Sequence, residues 1–437
     1  MKTRFHHALL LTMTDEGEPF DGELWTDGGR ISFAGTKEEA AARKAVSSEP
    51  VHFDEEIDCG GNLLMPGFKN AHTHSAMTLL RSRADDLPLD KWLNEQIFPV
   101  EAKMTDEDIY HLTKLAFLEY LTSGITACFD MYLTPVSIAK AARDAGFRVV
   151  QVGAVNNFSQ SPELVEEMYG TLNGNDPFNS YRIGFHAEYT CSRELLERIA
   201  ALADKYQAPV YAHISETEGE VAGCKERYGM SPVAFLDSLG MFAHGGGGYH
   251  LVHIDDKDIE ILKKRGMYAV TNPGSNTKLA SGIAPISKLL AADVPVAIGT
   301  DGPASNNALD MFREMFLVTG LAKLRDRDAS SVDARKVLKM ATVNGAHAMG
   351  LFDADVLVEG KRADLVLIDL SQPNMQPVNN ICKNLVYSGS KSNVKLVMIE
   401  GSVKYRDGAF FIGESPEDIY AQAGEILTRI NREMKAE

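Results

Sequence analysis

The residues best able to do chemistry in this chain fall in four places. His72-Thr73-His74 carries two imidazoles one residue apart; on an extended strand such positions face the same side, so both can reach one ion. Ala212-His213-Ile214-Ser215-Glu216 adds an imidazole and a carboxylate, residues 249–254 hold His250 and His253, and Gly299-Thr300-Asp301-Gly302 carries an aspartate. Any one of these is a weak signal, because a lone histidine at a strand end is usually a hydrogen-bonded core residue. Together, three imidazoles and one carboxylate suit zinc or a similar first-row divalent ion and leave a position for water. Such an ion lowers the pKa of bound water to about 7, making hydroxide available at neutral pH.

Side chains this far apart can meet only if the elements that carry them end on one side of the fold. Short β-rich runs at 63–70, 125–131, 148–155, 182–188, 209–214, 249–254, 267–271 and 294–299 alternate with helical patterns, and the four groups sit at the ends of the first, fifth, sixth and eighth. One helix is clearly signalled: Thr105 caps Asp106–Thr122, with Ile109, Leu112, Ala116 and Tyr120 on one side and Gly124 just beyond. The repeat predicts an α/β fold, a (β/α)₈ TIM-type barrel whose chemistry lies at the C-terminal ends of its strands. A doubly wound open sheet is the competing architecture.

Both chain ends read differently. Short apolar runs broken by Asp15-Glu16-Gly17 and Asp27-Gly28-Gly29 open the chain, and strands at 363–370 and 394–399 lie near its end. Ser415 and Pro416 then start a helix marked by Ile419, Ala423, Ile426, Leu427 and Ile430. The expected division is 1–65 as the first part of a small β-sandwich, 66–362 as the metal-bearing barrel, and 363–437 as the rest of the sandwich plus a C-terminal helix.

Composition narrows the partners. With 437 residues, 44% of them hydrophobic, a large core is available, and a net charge of −17 disfavours nucleic acid and anionic membrane surfaces. The cysteines at 59, 128, 191, 224 and 382 are odd in number and form no CxxC pair, so neither disulfides nor a thiolate metal site is indicated. No apolar run is long enough for a signal peptide or a membrane span, which predicts a soluble cytoplasmic protein. Gly245 to Gly248 lacks a following Lys-Ser/Thr and reads as a flexible loop rather than a phosphate cradle.

In this order of metal-competent groups the chain resembles the amidohydrolase superfamily, and within it the methylthioadenosine/S-adenosylhomocysteine deaminases. The resemblance runs through Met65-Pro66-Gly67-Phe68-Lys69-Asn70-Ala71-His72-Thr73-His74, Ala84-Asp85-Asp86-Leu87-Pro88-Leu89 and Phe98-Pro99-Val100-Glu101. It continues through His186-Ala187-Glu188-Tyr189-Thr190-Cys191-Ser192, Asn276-Thr277-Lys278-Leu279-Ala280-Ser281-Gly282 and Gly299-Thr300-Asp301-Gly302-Pro303-Ala304-Ser305-Asn306-Asn307. It implies one divalent metal per chain, zinc first and Fe²⁺ or Mn²⁺ as alternatives, held by His72, His74, His213 and Asp301. Asp301 would also accept the first proton. Glu216 would carry a proton to a ring nitrogen and then to the departing ammonia, and His250 would bond the attacking oxygen, with His253 as the alternative. Glu101, His186 and Trp92 match positions that contact the substrate, a small purine-type molecule, and relatives are commonly homo-oligomers.

The implied reaction is hydrolytic deamination of an adenine nucleoside to its inosine counterpart. One departure bears on its substrate: many relatives carry an arginine near the end of the third strand, where this chain reads Val152-Gly153-Ala154-Val155-Asn156-Asn157. Recognition of a carboxylate-bearing tail is therefore in question. A related hydrolase acting on guanine, a pterin or a triazine shares the same metal groups, and a non-catalytic scaffold would be marked by lost ligands, of which none is missing here.

Overall fold

The computed structural model describes residues 1–14, 17–46, 50–83, 85–87 and 91–436. Most of the expected turn at Asp15-Glu16-Gly17, and Ala84, Pro88 and Leu89 of the second resemblance stretch, lie outside the described residues. Five strands open the chain: β1 (Lys2–Leu10), β2 (Phe20–Asp27), β3 (Arg30–Thr36), β4 (Glu55–Asp58) and β5 (Leu63–Pro66). Eight follow: β6 (Phe68–Thr73), β7 (Ile125–Asp130), β8 (Arg148–Val152), β9 (Asn179–Ala187), β10 (Val210–Ile214), β11 (Gly246–His250), β12 (Met267–Thr271) and β13 (Val296–Ile298). Four more come last: β14 (Leu365–Ile368), β15 (Val394–Ile399), β16 (Ser402–Arg406) and β17 (Ala409–Phe410).

Strands β6 to β13 pair in chain order, each parallel to the next. That order has no reversal point, so the open doubly wound sheet is excluded. The two ends of the sheet meet through the seam between β6 and the residues just past β13. Thr300 N donates to Asn70 Oδ1 at 2.9 Å, Asn70 Nδ2 donates to Thr300 Oγ1 at 2.8 Å, and Asp301 N donates to His72 O at 3.0 Å. The result is a nearly closed barrel. Its interior is packed, with Phe129, Val150, Tyr211, Tyr249 and Val270 forming a buried cluster beneath the upper rim.

Two expected strands change. The first run splits at Gly67 into β5 and β6, which belong to different sheets; Gly67 N donates to Asp364 O, and a Cβ there would lie 2.1 Å from Thr126 Cγ2. The sixth strand begins earlier than its apolar pattern indicates, because Gly246, Gly247 and Gly248 are strand rather than loop. Gly246 has φ +137, and a Cβ on it would sit 2.0 Å from Val210 O, so only glycine lets β11 approach β10 this closely.

The terminal segments join as one mixed sheet of nine strands, in which β14 pairs antiparallel with β5 and β1 also pairs with β2, β4 and β5. It encloses its own apolar cluster around Phe5, Leu10, Leu24, Leu64, Leu365 and Met398. A buried ion pair ties it to the barrel floor: Arg148, at the start of β8, bonds Asp364 at 2.8 and 3.0 Å and Glu400 at 2.6 Å. The C-terminal helix, Pro416–Lys435, leaves this sheet and lies along the barrel helix Asp106–Thr122. It buries Ile419, Ile426 and Ile430, at about 1.5–3 kcal/mol for each apolar side chain taken fully out of water, and pairs Arg429 with Asp108.

Candidate active site

The four groups converge at the C-terminal ends of the barrel strands. One ligand atom from each of His72, His213, His250 and Asp301 lies within 4.8 Å of every other, all four residues being buried. His74 joins on one side, its Nε2 3.2 Å from Asp301 Oδ1, while His72 Nε2 lies 3.4 Å from the same oxygen. Ring centroids of His72 and His74 are 4.8 Å apart, and those of His72 and His213 4.9 Å.

Each group is aimed by a partner behind it. His74 Nδ1 bonds Met131 O, His213 Nδ1 bonds His186 O at 2.7 Å, and His250 Nδ1 bonds Asn276 Oδ1 at 2.7 Å, so each of these rings keeps Nε2 for the centre. Asp301 Oδ2 accepts from Ser275 Oγ at 2.6 Å and Ser305 Oγ at 2.7 Å, leaving Oδ1 toward the imidazoles. His72 is fully buried against the Tyr249 ring at 3.8 Å, and neither of its ring nitrogens has a hydrogen-bond partner among the described residues. An unpartnered buried imidazole is costly alone and is what a metal ligand looks like before its ion is counted. The donor set fits a first-row divalent cation.

Backbone conformation helps to aim the groups. Ser215, His250 and Asp301, at the ends of β10, β11 and β13, have φ of 54°, 73° and 58°, left-handed values that cost non-glycine residues about 1–3 kcal/mol each.

Electrostatics suits a cation. Burial pushes His72 down to about 3, and burial with the surrounding imidazoles holds His213 well below its ordinary value, so both stay neutral. Burial acts to raise Asp301, but the His72 and His74 imidazoles close to it outweigh that and keep the carboxyl well below the usual range. His74 behaves oppositely: burial acts to lower it, yet Asp301 holds it above its ordinary value.

Above this cluster opens a cavity of about 540 Å³, within the range of about 300–1,000 Å³ typical of small-molecule sites. Glu216 lines it beside His250, with its Oε2 3.7 Å from His250 Nε2 and its Oε1 accepting from Ser281 Oγ at 3.0 Å. Glu101, His186 and Trp92 line it too. Glu101 accepts from Tyr132 Oη at 2.7 Å and is pushed by burial up to about 7; His186 bonds Thr190 Oγ1 at 3.0 Å and is lowered by burial to about 4. Trp92 is buried in a π-helical turn, Trp92–Ile97, and is among the residues that line the cavity; its Nε1 has no hydrogen-bond partner among the described residues. His253 does not line the cavity; its Nε2 is engaged with Ser281 O at 2.6 Å.

Several supporting residues escaped the sequence reading. Glu220 offers Oε1 to Ser215 N and Oε2 to Glu216 N, each at 2.7 Å, and so pins the left-handed turn that presents Glu216. From spacing alone Glu220 is an ordinary acid in the first turn of a helix. Ser275, Asn276 and Ser281 lie in or beside a resemblance stretch, but nothing in their spacing says which group each would hold.

Comparison with known proteins agrees with this geometry. The amidohydrolase family model matches residues 63–404. The chain is 40% identical over 407 residues, 91% of each protein, to the 5-methylthioadenosine/S-adenosylhomocysteine deaminase of Desulfitobacterium hafniense. It is 40% identical over 369 residues, 82% of this chain and 86% of the relative, to the 5′-deoxyadenosine deaminase of Methanothermobacter thermautotrophicus. Among solved structures, an adenosine deaminase from Xanthomonas campestris with bound zinc superposes with a TM-score of 0.91 at 32% identity, covering 98% of both chains. With the barrel, the strand-end cluster and the matched span all in agreement, the chain belongs to the amidohydrolase family.

Proposed function

We propose that this protein is a zinc-dependent hydrolytic deaminase that converts an adenine nucleoside to its inosine counterpart with release of ammonia. The observation that carries the reading is the convergence of three or more imidazoles and Asp301 at the floor of a cavity whose wall holds Glu216. Relatives named for methylthioadenosine, S-adenosylhomocysteine and 5′-deoxyadenosine support the nucleoside, and a neighbour with bound zinc supports the metal.

His72, His74, His213 and Asp301 would hold the metal, and His250 would be spared for substrate chemistry because its Nε2 faces Glu216. When bound, the ion supplies Lewis acidity that brings the pKa of a water to about 7. The chain's own groups handle the protons. A water oxygen bonds to the carbon that bears the amino group, with Asp301 as first proton acceptor and His250 Nε2 bonding that oxygen. Asp301 hands that first proton on to Glu216, which delivers it to the adjacent ring nitrogen, where it stays. Glu216 then carries the second proton from the same oxygen to the amino nitrogen. The carbon–nitrogen bond then breaks, ammonia leaves, and the ring keeps a carbonyl. Such a positioned acid–base is worth about 10²–10⁴ in rate. Glu101 and His186 would bind the sugar or base, and Trp92 would wall the cavity.

The test is ultraviolet absorbance on adenosine, 5′-methylthioadenosine, 5′-deoxyadenosine and S-adenosylhomocysteine, with metal content measured on the same sample. Conversion with ammonia release and about one metal per chain is expected. Silence across all four nucleosides refutes the nucleoside reading in favour of another aminated heterocycle. Two metals per chain refutes the single-ion site.

A further inference from the structure

The terminal sheet carries a second convergence of ligand-type side chains. His6 and His7 are consecutive in β1, and consecutive residues of a regular strand point to opposite faces. These two do not. Phe5 pairs with Leu24 and Ala8 with Gly22, so His6 and His7 together stand opposite the single residue Glu23, a β-bulge. His7 takes φ 50°, uncommon for a residue with a Cβ, and the two imidazoles meet edge to face with ring centroids 4.7 Å apart.

The neighbouring strand supplies a carboxylate. His6 pairs in parallel register with Asp58, the last residue of β4, and His7 Nδ1 lies 3.1 Å from Asp58 Oδ1. One ligand atom from each of His6, His7 and Asp58 lies within 4.8 Å of the other two. The backbone holds all three in place: Cys59 N donates to His6 O at 2.8 Å, Gly61 N to His7 O at 2.7 Å, and Gly60 N to Asp58 Oδ1 at 2.9 Å. An exposed ion pair of His7 with Asp58 is worth little, and it gives no reason for His6 to turn to the same side. Two imidazoles and a carboxylate are zinc-type ligands, and the exposure of His7 and Asp58 lets water complete a tetrahedral set. Cys59, next in the chain, is buried with Sγ toward Ile57 O and takes no part.

We propose that His6, His7 and Asp58 form a surface site for a first-row divalent cation, zinc before others, separate from the cluster at the barrel mouth. The bulge and the left-handed His7 are the features that build it, since they bring neighbouring imidazoles to one side of the strand. An ion there fastens β1 to the end of β4. The chain runs on from that point through β5 and Gly67 into β6, the strand that carries His72. The ion therefore braces the approach to the barrel and takes no part in the reaction.

The experiment starts from holoenzyme passed over a chelating resin, which strips an ion held by exposed ligands and leaves one whose ligands are buried. The active-site metal is counted at that stage, so an ion at the surface site does not enter that count. Zinc is then added, and bound metal is measured by equilibrium dialysis with elemental analysis, alongside the thermal midpoint. One further zinc per chain is expected, with the midpoint raised by about 3 °C when free zinc is about 100-fold above its dissociation constant. His6→Ala and Asp58→Asn should each lose that zinc and that shift while keeping the buried metal and the wild-type kcat. No further zinc on the wild-type protein, or the same zinc and the same shift in both variants, overturns the proposal. The wild-type count needs no variant to fold, and neither result bears on the deaminase reading, which is judged by nucleoside turnover.

Discussion

Glu220 gives the sharpest test of how this site is held together. Its two carboxylate oxygens each take one backbone N–H, from Ser215 and Glu216, at 2.7 Å, and its side chain is buried. Glu220→Gln keeps the shape but supplies one acceptor where two are needed, so one amide then faces an NH₂ group. Leaving a buried backbone N–H without its acceptor costs about 1–3 kcal/mol, and Ser215 already sits in a left-handed conformation that relaxes once its tether weakens. If that energy holds Glu216 in place, and each 1.4 kcal/mol is about tenfold, kcat should fall by roughly 10–100-fold. Metal content should not change, because Glu220 touches none of His72, His74, His213 or Asp301, and KM should move less than kcat. Steady-state kinetics on the converted nucleoside, with metal analysis and circular dichroism on the same variant, checks this. A folded, metal-replete Glu220→Gln enzyme with kcat within about twofold of wild type would refute the claim that this clip positions Glu216.

Glu216→Gln should keep the metal and lose about 10²–10⁴ in kcat, since it removes only proton transfer; near-normal turnover would take Glu216 out of the mechanism. His74→Ala should lower bound metal on elemental analysis while His250→Ala retains it and loses turnover, and the opposite pattern would exchange the two roles. Glu314 is fully buried, accepts from Gly274 N and Asn306 Nδ2 at 2.8 Å each, and is raised by burial from 4.5 to about 7. Its folded state holds the proton more tightly than the unfolded one, so its contribution is greatest below pH 4.5 and is lost as pH rises toward 7, by about 3 kcal/mol at 1.36 kcal/mol per unit. Glu314→Gln should flatten denaturant-measured stability across that window, and an unchanged slope would argue against this assignment.

Much of the site was legible in the chain because metal chemistry restricts residue types and parallel strands restrict spacing. His72 and His74 share a strand face at i and i+2; His213 and His250 lie within the fifth and sixth β-rich runs, and Asp301 just past the eighth. An alternating strand–helix pattern with eight runs points to the barrel, whose topology places all those ends together. What tertiary structure alone decided is contact. Strand parity already set His250 and His253 on opposite faces; what the tertiary structure adds is that β11 runs from Gly246 to His250, a glycine's missing Cβ letting two strands approach. Likewise Glu220, Ser275 and Ser305 became meaningful only when the closed barrel brought them behind Glu216 and Asp301. Local pattern reports what a segment can be; a hydrogen bond between segments many residues apart exists only after the chain has closed on itself.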